Sequence, residues 1–223
     1  MAYQDFFTGR PTQEIAQDLL GRPLLYRSPA GLVGGWIVET EAYLGQADNA
    51  AHAYQGHRSA ANEALYGPPG TIYIYERRGL FMCDIAVQDA EVPQGVLLRG
   101  IQPVWGLDVM TKNREGRPVG ELTNGPGKLF RAFGVRDKAL NLHNLVDAPL
   151  TILLGDEWQS QPRQIGSSAR VGVRSGGWHD RPYRFFVAGN QWVSKTPKRS
   201  WATDQGWLKE AGRVLPAEIL PGK

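Results

Sequence analysis

The stretch Thr71-Ile72-Tyr73-Ile74-Tyr75 sets Ile72 and Ile74 against Tyr73 and Tyr75, the clearest two-residue period in the chain. A strand of this pattern turns an aliphatic face to a core and a phenolic face to something else. The polar Glu76-Arg77-Arg78-Gly79 follows, and then an apolar run over residues 80–87. The spacing predicts a protruding β-hairpin with two arginines at its tip.

Other segments fill in around it. Ile15, Ala16, Leu19 and Leu20 share one face of a helix predicted over residues 12–20, with Pro11 suited to its first turn and Gly21 to its stop. Strands are predicted over 24–27 and 33–43, joined by the turn Ser28-Pro29-Ala30-Gly31. Residues 46–69, with His52 and His57, read as a long polar loop carrying a short helix near 59–65, and long loops in compact domains are commonly functional. A strand over 96–98 ends at Arg99, with Pro103 soon after. Residues 105–114 suit a helix, and Asn124-Gly125-Pro126-Gly127 leads into another over 128–133. Further strands are expected over 150–154, 169–173 and 183–187, and beyond 201 a tail with one short helix. The 27 glycines and 15 prolines demand many turns. The fold class expected is α+β: a single domain over 1–223, built around an antiparallel sheet with surrounding helices.

The net charge of +3 permits a polyanionic partner without requiring one. The lone cysteine, Cys83, lies in an apolar run and can build neither an internal disulfide nor a metal cage. The histidines are scattered and no His-Glu-x-x-His occurs, so no metal and no cofactor are expected. No segment approaches 18 uninterrupted apolar residues, so no membrane partner is expected, and the reading is a cytoplasmic protein.

Carboxylate chemistry remains. In Val38-Glu39-Thr40-Glu41-Ala42-Tyr43-Leu44-Gly45, residues two apart share a strand face, so Glu39, Glu41 and Tyr43 project together. The two carboxylates would lie roughly 6.6 Å apart along the strand. Such a pair suits hydrolysis at a sugar anomeric centre, with one of them activating water, and both O- and N-glycosides fit. Tyr43, Tyr73 and Tyr75, with His52 in the intervening loop, offer flat rings for a flat, electron-poor guest such as a nucleobase. A solvated strand edge and core tyrosines are the plainer alternatives.

The chain resembles the alkyladenine DNA glycosylase family (3-methyladenine DNA glycosylase of the mammalian type). The resemblance rests on Ala16 to Gly21, the stretch from Ile37 to Gly45, Ala50-Ala51-His52, Pro69-Gly70-Thr71-Ile72-Tyr73-Ile74-Tyr75 and Val96-Leu97-Leu98-Arg99. It continues through Gly125-Pro126-Gly127-Lys128-Leu129, Ala169-Arg170-Val171-Gly172-Val173, Tyr183-Arg184-Phe185 and Trp192-Val193-Ser194, all in order over residues 12–195. What the resemblance implies is a monofunctional glycosylase that flips damaged purines out of double-stranded DNA and hydrolyses the N-glycosidic bond in base excision repair. Its fold would be a curved antiparallel sheet, and it would act as a monomer associated with DNA (the nucleoid, if bacterial). By the same resemblance Glu41 is the general base and Arg99 helps position the water or backbone. Tyr43, His52, Tyr73 and Tyr75 surround the base, Glu39 orients or pairs with a basic residue, and Arg77, Arg78, Lys128, Arg170 and Arg184 are DNA contacts or structural pairs. With no lysine near the Glu41 motif, hydrolysis without strand cleavage is expected.

Two positions depart from the family. A wedge tyrosine stands at its hairpin tip, three residues after Tyr75, where this chain has Arg78. Its asparagine after the Cys83 region is replaced by Asp84 or Ile85, with one residue missing. A broader purine range, or a preference for charged lesions, is expected. A nucleic-acid-binding module of the same fold with altered or lost catalysis is the alternative, and a carbohydrate hydrolase a distant third.

Overall fold

The computed structural model describes residues 3–173 and 177–215. After a short 3-10 turn, Tyr3–Phe7, the chain forms helix α1 (Thr12–Asp18), then strands β1 (Pro23–Ser28) and β2 (Gly31–Tyr43). The long loop that follows is pinned by 3-10 turns, of which Glu63–Tyr66 replaces the short helix expected near 59–65. The hairpin comes next, β3 (Ile72–Arg77) and β4 (Leu80–Val87), and then β5 (Gln94–Trp105). Helices α2 (Leu107–Asn113) and α3 (Pro126–Phe133) precede β6 (Leu150–Ile152), β7 (Gln161–Pro162), β8 (Ile165–Ser168), β9 (Arg184–Val187) and β10 (Trp207–Lys209).

The main sheet is antiparallel and runs β3-β4-β5-β2-β1-β6. Strand β2 is its spine. On one side it pairs with β5 along most of its length; on the other it pairs with β1 over its first half and with β9 at Glu39, Thr40 and Glu41. Such a strand is covered on all sides, and ten of its thirteen positions, Val33 to Ala42, are buried, including both glutamates. The plainer alternative of a solvated strand edge therefore gives way to a buried charged face.

The core lies on one face of this curled sheet, where Ile15 of α1 and Leu19 just after it, Phe130 and Phe133 of α3, and Trp36, Ile37, Ile72, Ile74 and Leu98 of the strands are fully buried. The alternation in β3 divides as the sequence predicts. Ile72 and Ile74 join this core, while Tyr73 belongs to a second, smaller cluster with Ala53, Ala64, Leu65 and Tyr66 on the opposite face, with Tyr75 packed against it.

Three boundaries differ from the sequence reading. The strand expected to stop at Arg99 continues to Trp105 through Pro103. Its ladder with β4 ends at Leu97 and only the isolated Gly100–Asn124 bridge follows on that side, so around Pro103 β5 has an edge without a ladder, where proline is tolerated. Residues 169–173 do not form a strand, because Arg170 turns inward to Asp48 and the Val171 N–H donates to the Glu41 carboxylate instead of to a ladder. The tail's short helix is absent from the described residues beyond 201; β10 pairs with β7 there, and Trp207 buries its ring while its Nε1–H donates to Gln102 Oε1 at 2.8 Å. Residues 216–223 lie outside the described ones.

Close packing on β2 requires Gly35, where an added Cβ would lie 2.0 Å from the Gln102 carbonyl oxygen. Gly35→Ala is expected to destabilise the protein by about 1–3 kcal/mol or more through forced strand separation. Gly120→Ala, whose Cβ would meet nothing within 4 Å, serves as the control in the same urea titration.

Candidate active site

Where β2 meets β5 the ladder is irregular. Ile37 pairs with Ile101 and Glu39 with Gly100, leaving Val38 extra; Thr40 then pairs with Leu98, leaving Arg99 extra. Two opposed bulges restore the register, and bulges of this kind re-aim side chains. Here they set the Arg99 guanidinium between the two glutamates: Nε donates to Glu39 Oε1 at 2.7 Å, and Nη1 lies 3.3 Å from Glu41 Oε1.

Glu39 is saturated. Besides Arg99, its carboxylate accepts from Arg184 Nε at 2.7 Å and from the Ser194 N–H and Oγ, each at 2.8 Å. Burial pushes its pKa up, but Arg99 and Arg184 outweigh that and hold it below the ordinary value. Glu39 is thus a fixed anion with no free lone pair directed at a substrate.

Glu41 is held differently. It accepts from the Tyr43 hydroxyl at 2.8 Å and from the Val171 N–H at 2.7 Å, and shares Arg99. Burial raises its pKa more than Arg99 and these donors lower it, so this carboxylate is the more basic of the pair. Two glutamates two residues apart thereby acquire opposite tendencies.

Beside Glu41 opens a cavity of about 1050 Å³, lined among others by Tyr43, His52, Tyr73, Tyr75 and Asp84. Glu41 does not itself line it. Tyr43, which it bonds, does, and so do Gly172 and Val173, which follow its other partner Val171. The rings are mutually braced. Tyr73 and Tyr75 stack at 5.1 Å, His52 stands edge-on to Tyr75 at 4.8 Å, and His52 Nδ1 meets the Tyr73 hydroxyl at 2.8 Å. Burial pushes the phenols of Tyr43 and Tyr75 well up, so both stay protonated.

Among the expected DNA contacts, Arg170 and Arg184 have other work. Both are buried, Arg184 against Glu39 and Arg170 in a bidentate pair with Asp48, one arm of which measures 2.8 Å. The Arg170 guanidinium also sits 4.5 Å from the Tyr43 ring centroid, bracing that wall from behind. Structural pairing is the role their geometry supports, since a buried, neutralised cation has nothing to offer a phosphate. Ile85 is likewise removed from the gate: pairing with Ile72, it points into the main core, and Asp84 alone faces the cavity. Arg77 and Arg78 are exposed at the hairpin tip, where Arg77 Nη1 donates to the Gly172 carbonyl at 2.8 Å. Lys128, at the start of α3, donates to Asn124 Oδ1 at 2.9 Å.

Sequence reasoning missed Asp48, Val171, Ser194 and Lys138. Asp48 sits in a polar loop like many others, yet it is fully buried and also accepts from the Leu44 and Ala50 N–H groups. Lys138 lines the cavity from its exposed rim, although no lysine lies close to Glu41 in sequence. Among the described residues no group of three or more His, Cys, Asp or Glu could hold a metal ion.

Residues 5–191 match the family described as methylpurine-DNA glycosylase (MPG). A protein of Lactobacillus helveticus is 49% identical over 209 residues, 93% of this chain and 100% of its own length. One of Latilactobacillus sakei is 52% identical over 205 residues (91% and 95%), and one of Enterococcus faecalis 40% over 223 (98% and 95%). All three bear the name "Putative 3-methyladenine DNA glycosylase".

Removing Asp48 strands a buried cation behind Tyr43. Asp48→Ala is expected to cost about 3–5 kcal/mol in urea unfolding, the usual price of a broken buried pair. A loss below about 1 kcal/mol would mean that Arg170 is not held as described.

Proposed function

The chain belongs to the methylpurine-DNA glycosylase family and is a DNA glycosylase of base excision repair; we propose that it flips a damaged purine of double-stranded DNA into the cavity and that Glu41 activates the water that replaces it. The observation that carries the residue assignment is the asymmetry of the two buried glutamates. Glu39 is a saturated anion, whereas Glu41 is more basic and lies directly behind the cavity wall formed by Tyr43 and residues 172–173. A general base needs a raised pKa and reach to its water. Arg99 orients the carboxylate and balances the charge of the pair.

Chemistry at the sugar asks little else of the protein when the purine is alkylated on N3 or N7. Such a base is already cationic, departs without an acid, and is drawn to aromatic faces by about 0.5–2 kcal/mol per good contact. Tyr43, Tyr73, Tyr75 and His52 supply those faces, and an undamaged neutral purine gains less from them while costing more to unstack. The reaction stops at base release in this reading, because the acceptor is water and Lys138 stays exposed at the rim.

At the tip of the hairpin Arg78 adopts φ +54° and Gly79 φ +74°, a turn that favours asparagine in the first position. Left-handed backbone costs a residue such as arginine roughly 1–2 kcal/mol. We read this exposed, strained cation as a DNA contact that takes the gap left by the flipped base, with Arg77 beside it. Lys128 is proposed as a backbone contact, since burial and then the field of Arg114, opposed by Glu121 and reinforced by Lys195 and Arg117, make its ammonium readier to pair with an anion. The protein would act as a monomer on duplex DNA in the cytoplasm. An intact Glu41–Arg99 arrangement favours this reading over a binding module that has lost its chemistry.

Glu41→Gln is expected to slow release of 3-methyladenine from a methylated duplex by about 10²–10⁴-fold. Binding to a duplex with an abasic analogue should persist, and near-normal release by the variant would remove Glu41 from the mechanism. For the hairpin, Arg78→Asn should lower the slope of log affinity against log salt by about one while leaving the urea midpoint equal or higher. An unchanged slope would mean that Arg78 does not touch phosphate.

A further inference from the structure

Four acidic side chains are buried among the described residues: Glu39, Glu41, Asp48 and Asp84. Each of the first three has an arginine, namely Arg99 and Arg184 for Glu39, Arg99 for Glu41, and Arg170 for Asp48. Asp84 has none. It projects from β4 opposite Tyr73, is only 5% exposed, lines the cavity, and leaves Oδ1 without a hydrogen-bond partner. A buried carboxylate in that position must either find a cation or keep a proton.

In the free protein it keeps the proton. Burial, and then the field of Glu41, push the Asp84 carboxyl up to about 8, against a hydrogen bond from Tyr75 that pulls it down. The titratable groups facing it are Glu41 and Tyr43 from β2, Tyr73 and Tyr75 from β3, Cys83 beside it, and His52 across the cavity. None of these is a cation partner, and the two cations that also line the cavity, Arg77 and Lys138, make no ion pair with it.

We infer that Asp84 is the counter-ion of the flipped base, and that it selects purines carrying a fixed positive charge, those alkylated on a ring nitrogen, over neutral damaged purines. This rests on the cavity being the site of the flipped base. When a cationic base enters, the Asp84 proton leaves to solvent and the carboxylate pairs with the base; a neutral base brings no charge, and the proton stays. The pair contributes to capture rather than to bond cleavage. As the glycosidic bond breaks its electron pair neutralises the base, so the attraction fades along the reaction coordinate. Because Asp84 already lines the cavity and one of its carboxyl oxygens has no partner to give up, capture of the base breaks no existing hydrogen bond of that oxygen.

The test uses the full chain and two duplexes, one carrying 7-methyladenine, which has no ring N–H to lose and stays cationic over this range, and one hypoxanthine, each 2′-fluorinated at the lesion so that the glycosidic bond survives. For the cationic duplex, affinity should rise towards about tenfold per pH unit from pH 6 to about 8 and level off above, with a proton released on binding. The hypoxanthine duplex should lack this component. Asp84→Asn, close to isosteric, should weaken binding of the cationic duplex about tenfold or more near pH 8, remove the slope, and leave hypoxanthine binding within about twofold. A flat wild-type profile without proton release overturns the inference, as does an asparagine variant that keeps the cationic preference. Wild-type protein that releases no base from methylated DNA and prefers neither duplex to undamaged DNA overturns the glycosylase reading along with it.

Discussion

Burying two carboxylates on one strand is tolerable only because other parts of the chain bring cations to them. Glu39 and Glu41 lie on β2 with no exposure, and the charges that compensate them arrive from β5 as Arg99 and from β9 as Arg184. Removing one member of such a pair typically costs 3–5 kcal/mol. The sheet order therefore has an electrostatic meaning: β2 sits between β5 and β9 where its glutamates need both neighbours. Gly100 allows the approach, since a Cβ there would crowd the Trp192 carbonyl at 3.1 Å and the Thr123 carbonyl at 3.3 Å.

That arrangement also separates the two acids chemically. With four charged or hydrogen-bonding donors, Glu39 is fixed as an anion. Glu41 shares a single arginine and takes a phenol and one backbone amide, which leaves it the more basic. The distinction comes from how many donors reach each carboxylate, because the two side chains are identical and equally buried. The same principle extends outwards: Asp48 neutralises Arg170, Arg170 lies against the Tyr43 ring, and Tyr43 covers Glu41. Rigidity of the cavity wall is thus maintained by ion pairs that never meet the substrate.

On the opposite face of the hairpin from the main core, Tyr73 and Tyr75 are available for recognition because Ile72 and Ile74 already meet the demands of packing. Asp84, across the ladder from Tyr73, shares their face and is the cavity's unmatched acid. Three residues after Tyr75, at the turn, Arg78 places an exposed positive charge beside Gly79. In the proposed function one hairpin thereby combines stacking, charge selection and DNA contact.

Much of this was legible from the amino acids in order. The two-residue period at 71–75 determined the hairpin and its two faces, and the spacing of Glu39, Glu41 and Tyr43 determined that they would project together, because side-chain direction in a strand follows from local backbone geometry alone. The resemblance in ordered motifs brought the glycosylase family within reach. What the sequence could not decide was which charge meets which. Arg170 and Arg184 read equally as DNA contacts or structural pairs, Asp48 was not distinguished within its polar loop, and Asp84 and Ile85 read as interchangeable, until the register of β3 against β4 sent Ile85 inward and Asp84 to the cavity. Nor could it show the paired bulges at Val38 and Arg99, or a strand continuing through Pro103. These depend on partners roughly 60 to 145 residues away, as with Glu39 and its two arginines. Local chemistry fixes what a residue is able to do; only the folded chain determines which partner it meets and whether water is still there when it does.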